Sequence, residues 1–367
     1  MINEVKNCSG CGLCYASCPV KAIHKVERER GVTYFEANET CIKCGKCIKL
    51  CPTYKDLQHD EQKVFLSAAA KDKNAIALSS SGGAAYEISK EILNRGGVVY
   101  GAAWDIHSQS VKHIKAIAAD DLKLLQGSKY VQSEIDKETY ESVVADLKDK
   151  EVLFIGCPCQ VAAIRSLCCD HENLYTIDIV CHGVSSPKLL KEQLDLIVHE
   201  PVRAISFRDG LRFRFRVETE NEVYEERAGL VPYYSLYLNF ASLRETCYSC
   251  RYANRKRIGD ITVGDYIENG MGNSLIICNT DKGNAVIQSV KERMNYGEHE
   301  INLLSINHSF NKPTDKPMQT ARFTELYPKY GLKRAYEASF RKLVFKRKIQ
   351  SLVGEEMIKK IKGLVKG

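Results

Sequence analysis

No segment of the 367-residue chain approaches the eighteen consecutive apolar residues that a membrane-spanning helix requires. The opening Met1-Ile2-Asn3-Glu4-Val5-Lys6 runs into a cysteine cluster without an apolar h-region, so no secretory leader is expected. Basic charge is not spread over the chain. Nine Lys/Arg and two acids between Arg341 and Gly367 account for the whole formal charge of +7, and the body before residue 341 is neutral overall. That excludes a nucleic-acid-binding surface on the body and leaves a basic tail. With 44% apolar and 27% charged residues the composition excludes a disordered chain. Sixteen cysteines in a chain without a leader are expected in a reducing cytoplasm, where they point to metal binding rather than disulfides.

Eight of those cysteines lie within the first 51 residues. Cys8, Cys11, Cys14 and Cys18-Pro19 follow C-x2-C-x2-C-x3-C-P, and Cys41, Cys44, Cys47 and Cys51-Pro52 repeat it. This is the spacing of the bacterial two-cluster ferredoxins, in which the fourth cysteine of each run serves the other cluster. Tight turns through Gly10, Gly12 and Gly45 let three thiolates meet one cube, while the cysteine before each proline lies too far round. One 4Fe-4S cluster is therefore expected on Cys8, Cys11, Cys14 and Cys51, and the other on Cys41, Cys44, Cys47 and Cys18. Zinc and disulfide readings compete, but zinc prefers two C-x2-C pairs held apart by a longer spacer. Ile23–Ala37 reads as a charged hairpin turning at Gly31.

After a polar linker at 56–63, strand-like and helix-like stretches alternate. Ala75–Leu78 is a short apolar run, read as a strand, before Ser79-Ser80-Ser81-Gly82-Gly83 and a helix over Ala84–Asn94. Strands are expected at Gly97–Trp104, Val111–Ile117, Glu151–Ile155 and Leu174–Val180, and helices at Tyr140–Lys148 and Val161–Leu167. Ser186 caps a further helix with Pro187 at its first position. Leu211–Val217 alternates Leu/Phe/Phe/Val with three arginines, as a half-buried strand does. The pattern implies a mixed α/β (α+β) protein: a small two-cluster ferredoxin-like domain at 1–58, a larger α/β domain at 64–330, and a basic amphipathic helical tail at 331–367. That tail either docks on the body or contacts the inner face of a membrane peripherally.

Small residues at a helix start, as at Ser80, Ser81, Gly82 and Gly83, suit phosphate oxygens, although a plain capped turn has the same composition. The stretch is neither G-x-G-x-x-G nor a Walker loop. Gln126-Gly127-Ser128-Lys129-Tyr130 is a second such turn. Gly156-Cys157-Pro158-Cys159-Gln160, Asp178-Ile179-Val180-Cys181-His182-Gly183 and Cys247-Tyr248-Ser249-Cys250 supply enough thiols for a third metal centre at strand ends. Cys168, Cys169 and Cys278 read as small buried hydrophobes.

Together with Gly127-Ser128-Lys129-Tyr130-Val131-Gln132-Ser133, Ser206-Phe207-Arg208-Asp209 and Gly259-Asp260-Ile261-Thr262-Val263-Gly264-Asp265, these motifs occur in an order that resembles the coenzyme F420 hydrogenase/dehydrogenase beta-subunit family over about residues 1–330. The resemblance implies an FAD- and iron–sulfur-dependent oxidoreductase that passes electrons between a hydride coenzyme (F420-like or nicotinamide) and a redox partner protein. It implies a third 4Fe-4S cluster on Cys159, Cys181, Cys247 and Cys250. It implies FAD contacts from Ser80, Ser81, Gly82, Gly83, Gly127, Ser128, Lys129 and Tyr130, and from Lys256, Asp260 and Asp265. Cys157 stands where many relatives have Thr, and Asp265-Tyr266-Ile267 where the family has Asp-Phe-Trp. His182 is the candidate proton donor near the flavin, although a capping or core histidine fits the same position. Two further readings use the same residues: an electron carrier without hydride chemistry, and an accessory factor in surface-polysaccharide synthesis.

Overall fold

The computed structural model describes residues 2–59, 64–169, 171–268, 271–298 and 307–353. The N-terminal hairpin pairs β1 (Ile23–Arg28) with β2 (Val32–Ala37) in antiparallel register. The remaining strands are β3 (Val64–Ala70), β4 (Val98–Asp105), β5 (Ser110–Ala116), β6 (Val152–Gly156), β7 (Leu174–Ile179), β8 (Ala204–Asp209), β9 (Arg212–Glu218), β10 (Val223–Arg227), β11 (Ile261–Glu268), β12 (Met271–Cys278) and β13 (Met294–Glu298).

Eight of them form one sheet in the order β13-β3-β12-β11-β7-β6-β4-β5. Its centre, β11-β7-β6-β4, is parallel; β5 on one side and β12-β3-β13 on the other are antiparallel. One face buries Ile88 and Ile92 of helix Ala84–Asn94 and Val286, Ile287 and Val290 of helix Asp281–Val290 against Val99, Leu153, Ile177 and Ile276. The other face packs helices Lys137–Asp146 and Pro158–Cys168 through Tyr140, Val143, Val161 and Ile164, and it also takes in Leu13 of the N-terminal module. Sequential strand–helix units covered on both faces make this an α/β core, as expected.

A second antiparallel sheet, β10-β9-β8, packs with helices Pro187–Asp195, Pro232–Leu238 and Gln319–Ser339 around Phe207, Phe215, Tyr233 and Tyr234. The alternation expected over 211–217 holds in its second half: Phe215 and Val217 are fully buried, whereas Phe213 remains 43% exposed. Ser186 does cap its helix, accepting from the Lys188 amide, and its hydroxyl donates to Gly31 O of the N-terminal hairpin at 2.7 Å.

Two expectations are corrected. Ala75–Leu78 is not a strand. Asp72 caps a short helix at Lys73–Ala77, its side chain accepting from the Asn74 amide at 2.9 Å. The strand of this region is β3, whose Val-Phe-Leu-Ser-Ala-Ala-Ala lies between β12 and β13. Cys169 is exposed, with a φ of +56°, because the chain leaves the helix there in a left-handed conformation; Cys278 is buried as expected. Gly331, with φ +70° and ψ 178°, interrupts helix Gln319–Ser339. A further helix, Arg341–Val353, docks on the body, where Arg347 donates to Gly229 O and Ser235 Oγ. The rest of the predicted tail, 354–367, lies outside the described residues.

His113 on β5 is the buried titratable group of the sheet. Its Nε2 meets Ile155 O at 3.0 Å and its ring stacks on Phe154. Burial pushes its pKa down to about 4, so the folded protein holds it neutral while an unfolded chain protonates it near 6.5. Below 6.5 the unfolded state binds more protons, so stability falls with falling pH until both states are protonated. We expect a loss approaching about 3 kcal/mol between neutral pH and pH 4 from this group, and a shallower loss in His113→Gln. Urea midpoints measured anaerobically across that window check it.

Candidate redox site

The N-terminal turns carry out what their spacing predicts. Gly12 and Gly45 adopt φ of +81° and +75° and open the short helices Leu13–Ala16 and Lys46–Leu50. Cys8, Cys11, Cys14 and Cys51 line one small cavity with Leu13, Phe35 and Pro52. Burial pushes the Cys11 thiol up to about 12, and the Cys8 and Cys51 thiols push in the same direction. Cys14 is raised by burial and by the same neighbours. Cys47 is raised by burial, with Cys41 and Cys44 adding to it, and both Cys18 and Cys47 pack against the Ile23–Phe35 cluster. Thiols crowded until each opposes its neighbours' ionisation are a donor set that needs a cationic centre. Four around one cavity fit an iron–sulfur cube.

This module is gripped by the body at its backbone. Arg244, 1% exposed, donates from Nε to Cys8 O at 2.9 Å and from Nη1 to Thr33 O at 2.8 Å and Gln132 Oε1 at 3.2 Å, and it stacks over Tyr34. Thr246 Oγ1 also donates to Cys8 O, at 2.7 Å, and Tyr140 OH donates to Cys11 O at 2.8 Å. Gly10 is required there: a Cβ would lie 2.4 Å from Arg244 Nη1.

A second thiol group sits just beyond the C-terminal ends of β6 and β7. Cys157 and Cys159 open helix Pro158–Cys168, Cys181 follows β7, and Cys247 and Cys250 come from the turn at Glu245–Ser249. Cys181 and Cys157 stand 3.7 Å apart, sulfur to sulfur. Burial raises Cys159, with Cys181, Cys250, Cys247 and Cys11 adding to it, and burial lifts Cys247 to about 12. Cys157 is raised by its bond to Cys181 and by burial. Cys181 is lowered by that bond, by the Gly183 amide at 3.3 Å and by Arg257. The four cysteines the resemblance implied thus come together, with Cys157 beside them. Among the described residues no three His, Cys, Asp or Glu side chains converge on a single-ion site.

Arg257, just downstream, is buried against Asp178. Nη2 meets Oδ1 at 2.8 Å, and Asp178 Oδ2 accepts the amides of Ile258 and Gly259.

The Ser79–Gly83 turn leads into helix Ala84–Asn94 with Gly83 at φ +80°. Gly82 presses on β3 and β12, where a Cβ would lie 2.2 Å from Ala68 O and 2.6 Å from Ser274 N. Ser80 Oγ accepts from the Ser128 amide at 2.7 Å and from Ser128 Oγ at 2.9 Å, so the two predicted turns adjoin. Ser81 Oγ lies 3.2 Å from Ser274 Oγ. Gly127 has open space where a Cβ would stand, and the buried Gln126 Oε1 has no partner. Arg208 gathers this region: it donates to Tyr130 OH and Asp265 Oδ2, each at 2.9 Å, and to Ser80 O at 3.2 Å, and it lies over the Phe213 ring. Tyr130 stacks on Tyr237 at 4.8 Å, and Tyr237 in turn is within electrostatic reach of Cys181 and Cys157. An unpartnered acceptor, an open glycine turn and a wall of aromatic rings fit a flavin nucleotide.

Three predicted contacts stand differently. Lys129 is buried, which pushes it down to about 7, and its Nζ donates to the carbonyls of Leu124, Leu125 and Gln126; it caps the preceding helix. Asp260 ties β7 to the start of β11 through Thr176 and Thr280 and lines a crevice of about 340 Å³ with His59, Arg165, Cys169, His171 and Lys282, a lining that includes none of the cysteines implied as cluster ligands. Lys256 is exposed, and its carbonyl accepts from Gln58. His182 stacks on Phe240 and meets Asn307 through Nε2 at 3.0 Å, while its buried Nδ1 has no partner. Burial, with His308 nearby, lowers its pKa to about 4. Arg208, Arg244 and Tyr237 carry the site although the sequence named none of them as site residues. Arg208 lay inside a quoted motif; the other two have no local signal.

Residues 149–302 match the family described as the C terminus of the coenzyme F420 hydrogenase/dehydrogenase beta subunit, and residues 7–54 match the 4Fe-4S dicluster domain. The likeness to the coenzyme F420 hydrogenase/dehydrogenase beta-subunit family thus covers residues 149–302, less than half of the chain. An uncharacterised protein of Methanocaldococcus jannaschii is 24% identical over 205 residues, covering 47% of this chain and 55% of that one, so the chain spans about half the length of this curated relative. A chain of the F420-reducing NiFe hydrogenase complex from Methanosarcina barkeri aligns over 82% of this chain and 97% of its own, at 17% identity and a TM-score of 0.48. Both matches are with families of redox proteins, and the N-terminal one is an iron–sulfur domain. No helix among the described residues is long and apolar enough to cross a membrane.

Arg244→Ala removes the donor that three buried acceptors use at the junction of the two parts. We expect a loss of about 3 kcal/mol and faster loss of iron from the N-terminal module, with Arg244→Lys intermediate. Thermal midpoints and iron released to a chelator check this.

Proposed function

We propose that the protein is an FAD-dependent iron–sulfur oxidoreductase which links a two-electron hydride donor of the F420 or nicotinamide type to a one-electron protein partner. The observation that carries this reading is the continuity of the buried groups. Tyr237 stacks on Tyr130 and lies within electrostatic reach of Cys181. Tyr140 and Tyr252 each lie within electrostatic reach of both Cys159 and Cys11. The flavin cradle, the inner thiols and the N-terminal thiols are therefore linked by buried tyrosines within electrostatic reach of one another.

Cys159, Cys181, Cys247 and Cys250 would hold a third 4Fe-4S cluster, with Cys157 as the adjacent spare thiol. FAD would rest on Ser80, Ser81, Gly82, Gly83, Gly127, Ser128 and Tyr130. Bound FAD supplies the conversion between paired and single electrons, and iron–sulfur centres supply one-electron acceptance. The chain's own residues do the rest. Arg208 holds Tyr130, Asp265 and Ser80 in one arrangement and brings positive charge to the cradle. Tyr130, Phe207, Tyr234 and Tyr237 pack edge and face to keep water from its inner wall. Lys129 positions the 126–130 turn through its three carbonyl bonds rather than facing a ligand. His182, neutral and with Nδ1 unpartnered, is placed to hold or pass a proton beside the inner thiols.

Protein isolated without oxygen is expected to carry about 12 irons and one FAD per chain, against about 8 irons for an electron carrier with the N-terminal clusters alone. Cys247→Ser with Cys250→Ser is expected to remove about four irons, and Arg208→Ala to lower flavin content severalfold. Absence of flavin absorption after the iron is stripped and FAD is added back would reduce the protein to a carrier. Anaerobic titration with reduced F420, NADH and NADPH, followed by cluster bleaching, identifies the donor.

A further inference from the structure

The proposed electron series has an outer end, and its surroundings are distinctive. Of the twelve cysteines assigned to clusters, Cys44 alone is exposed. The loop that carries it stands away from the body: Lys43 has a φ of +54°, and no atom lies within 4 Å of where a Cβ on Gly45 would be. Ile42 beside it is 61% exposed.

Lys43, Lys46 and Lys49 surround that thiol, and all three are exposed. Lys46 and Lys49 are three apart on the helix Lys46–Leu50 and so share a face. Exposed Val20 and Lys21 join the same rim. The Asn38 amide bonds to Ala22 O at 2.9 Å, and the Cys41 amide bonds to Asn38 O at 3.2 Å, which brings the 18–22 turn beside the 38–41 turn. Glu39 is the acid of this loop. Among the described residues none of Lys21, Lys43, Lys46 and Lys49 is ion-paired. Lysines elsewhere on the module do have partners: Lys25 pairs with Glu134 and also approaches the Tyr15 ring. A small apolar centre inside an unneutralised ring of lysines is what a partner of opposite charge recognises: the rim steers the approach and the apolar centre makes the contact.

We propose that the face formed by Val20, Lys21, Ile42, Lys43, Lys46 and Lys49 around Cys44 docks a small acidic one-electron carrier protein of the ferredoxin or flavodoxin kind. This rests on the two-cluster reading of the N-terminal module and names the chemistry of its partner. Each encounter moves one electron: the carrier gains one as this protein loses one, or the reverse. The two-electron donor serves two such encounters. The face is built for a brief contact, since a small apolar centre with a charged rim accelerates association more than it slows release.

The test compares the wild type with the triple variant Lys43→Glu, Lys46→Glu, Lys49→Glu. Both are reduced by dithionite and mixed in a stopped-flow instrument with an acidic plant-type 2Fe–2S ferredoxin or with basic cytochrome c. Wild-type protein is expected to react with the ferredoxin at a rate that falls as salt is added. The triple variant should react about tenfold or more slowly at low salt, lose that salt dependence, and gain rate with cytochrome c. Binding of oxidised ferredoxin, followed by calorimetry, should weaken in parallel. Equal ferredoxin rates and affinities in the two proteins, or a wild-type preference for cytochrome c, would overturn the proposal. Iron content and paramagnetic resonance of the reduced proteins are measured alongside. If the wild type shows no cluster signal, the two-cluster reading has failed. If only the variant lacks it, the ionic-strength series on the wild type decides: a flat or rising ferredoxin rate overturns the docking face.

Discussion

The structure depends on a guanidinium buried where two parts of the chain meet. Arg244 is 1% exposed, and its donors are taken up by Cys8 O, Thr33 O and Gln132 Oε1, with Tyr34 beneath its plane. A buried cation without acceptors would cost several kcal/mol, and here one of the acceptors is the Cys8 carbonyl of the cysteine loop itself. The loop that presents Cys8 and Cys11 is therefore held by the α/β body, through Arg244, Thr246, Gln132 and Tyr140. A ferredoxin module tethered by a linker would place its thiols at a variable distance from any other centre. Gripping the backbone next to the first ligand fixes that distance, and electron exchange between centres needs a fixed distance.

The same constraint explains the crowding of thiols. Cys159 and Cys181 lie beyond the carboxyl ends of the parallel strands β6 and β7, and Cys247 and Cys250 join them from the turn at Glu245–Ser249. Without a cationic centre, each of these thiols but Cys181 is held above its ordinary pKa by burial and its neighbours. Folding them together is unfavourable for the protein alone, and binding of the proposed third cluster would offset it. Tyr130, Tyr234 and Tyr237 pack ring against ring beside these thiols.

What the sequence made legible was local. The N-terminal runs could be read because thiol spacing and turn glycines lie within ten residues of one another, and Gly12 and Gly45 take the left-handed conformations this requires. Helix Pro187–Asp195 was announced by Ser186 and Pro187. Strand β3 was not legible: Val64–Ala70 has small residues on both faces because both faces are covered, and no turn residue separates it from the Lys73–Ala77 helix in the manner of a strand end. The short Ala75–Leu78 run took its place, and the Asp72 cap decided against it. The resemblance implied Lys129 as a flavin contact, whereas its Nζ is taken up by three carbonyls at the end of the preceding helix. Arg244 bonds residues more than 200 positions away in sequence. No periodicity or spacing encodes a contact of that kind.

The Asp178–Arg257 pair shows how these demands combine. Both side chains are almost completely buried, and a buried ion pair by itself contributes little to stability, since removing two charges from water costs as much as their attraction returns. Apolar residues would fill the volume at no such cost. They would not accept the amides of Ile258 and Gly259, which Asp178 Oδ2 does, nor place positive charge where it favours the ionised forms of Cys181 and Cys250. Asp178 is the penultimate residue of β7, three residues before Cys181, and Arg257 follows Cys250 by seven. The pair thus locks together the two segments that deliver three of the four inner thiols. Its energetic return lies in fixing that arrangement and in the charge it directs at sulfur, which is why a strand end beside converging thiols retains an ion pair that a simple core would exclude.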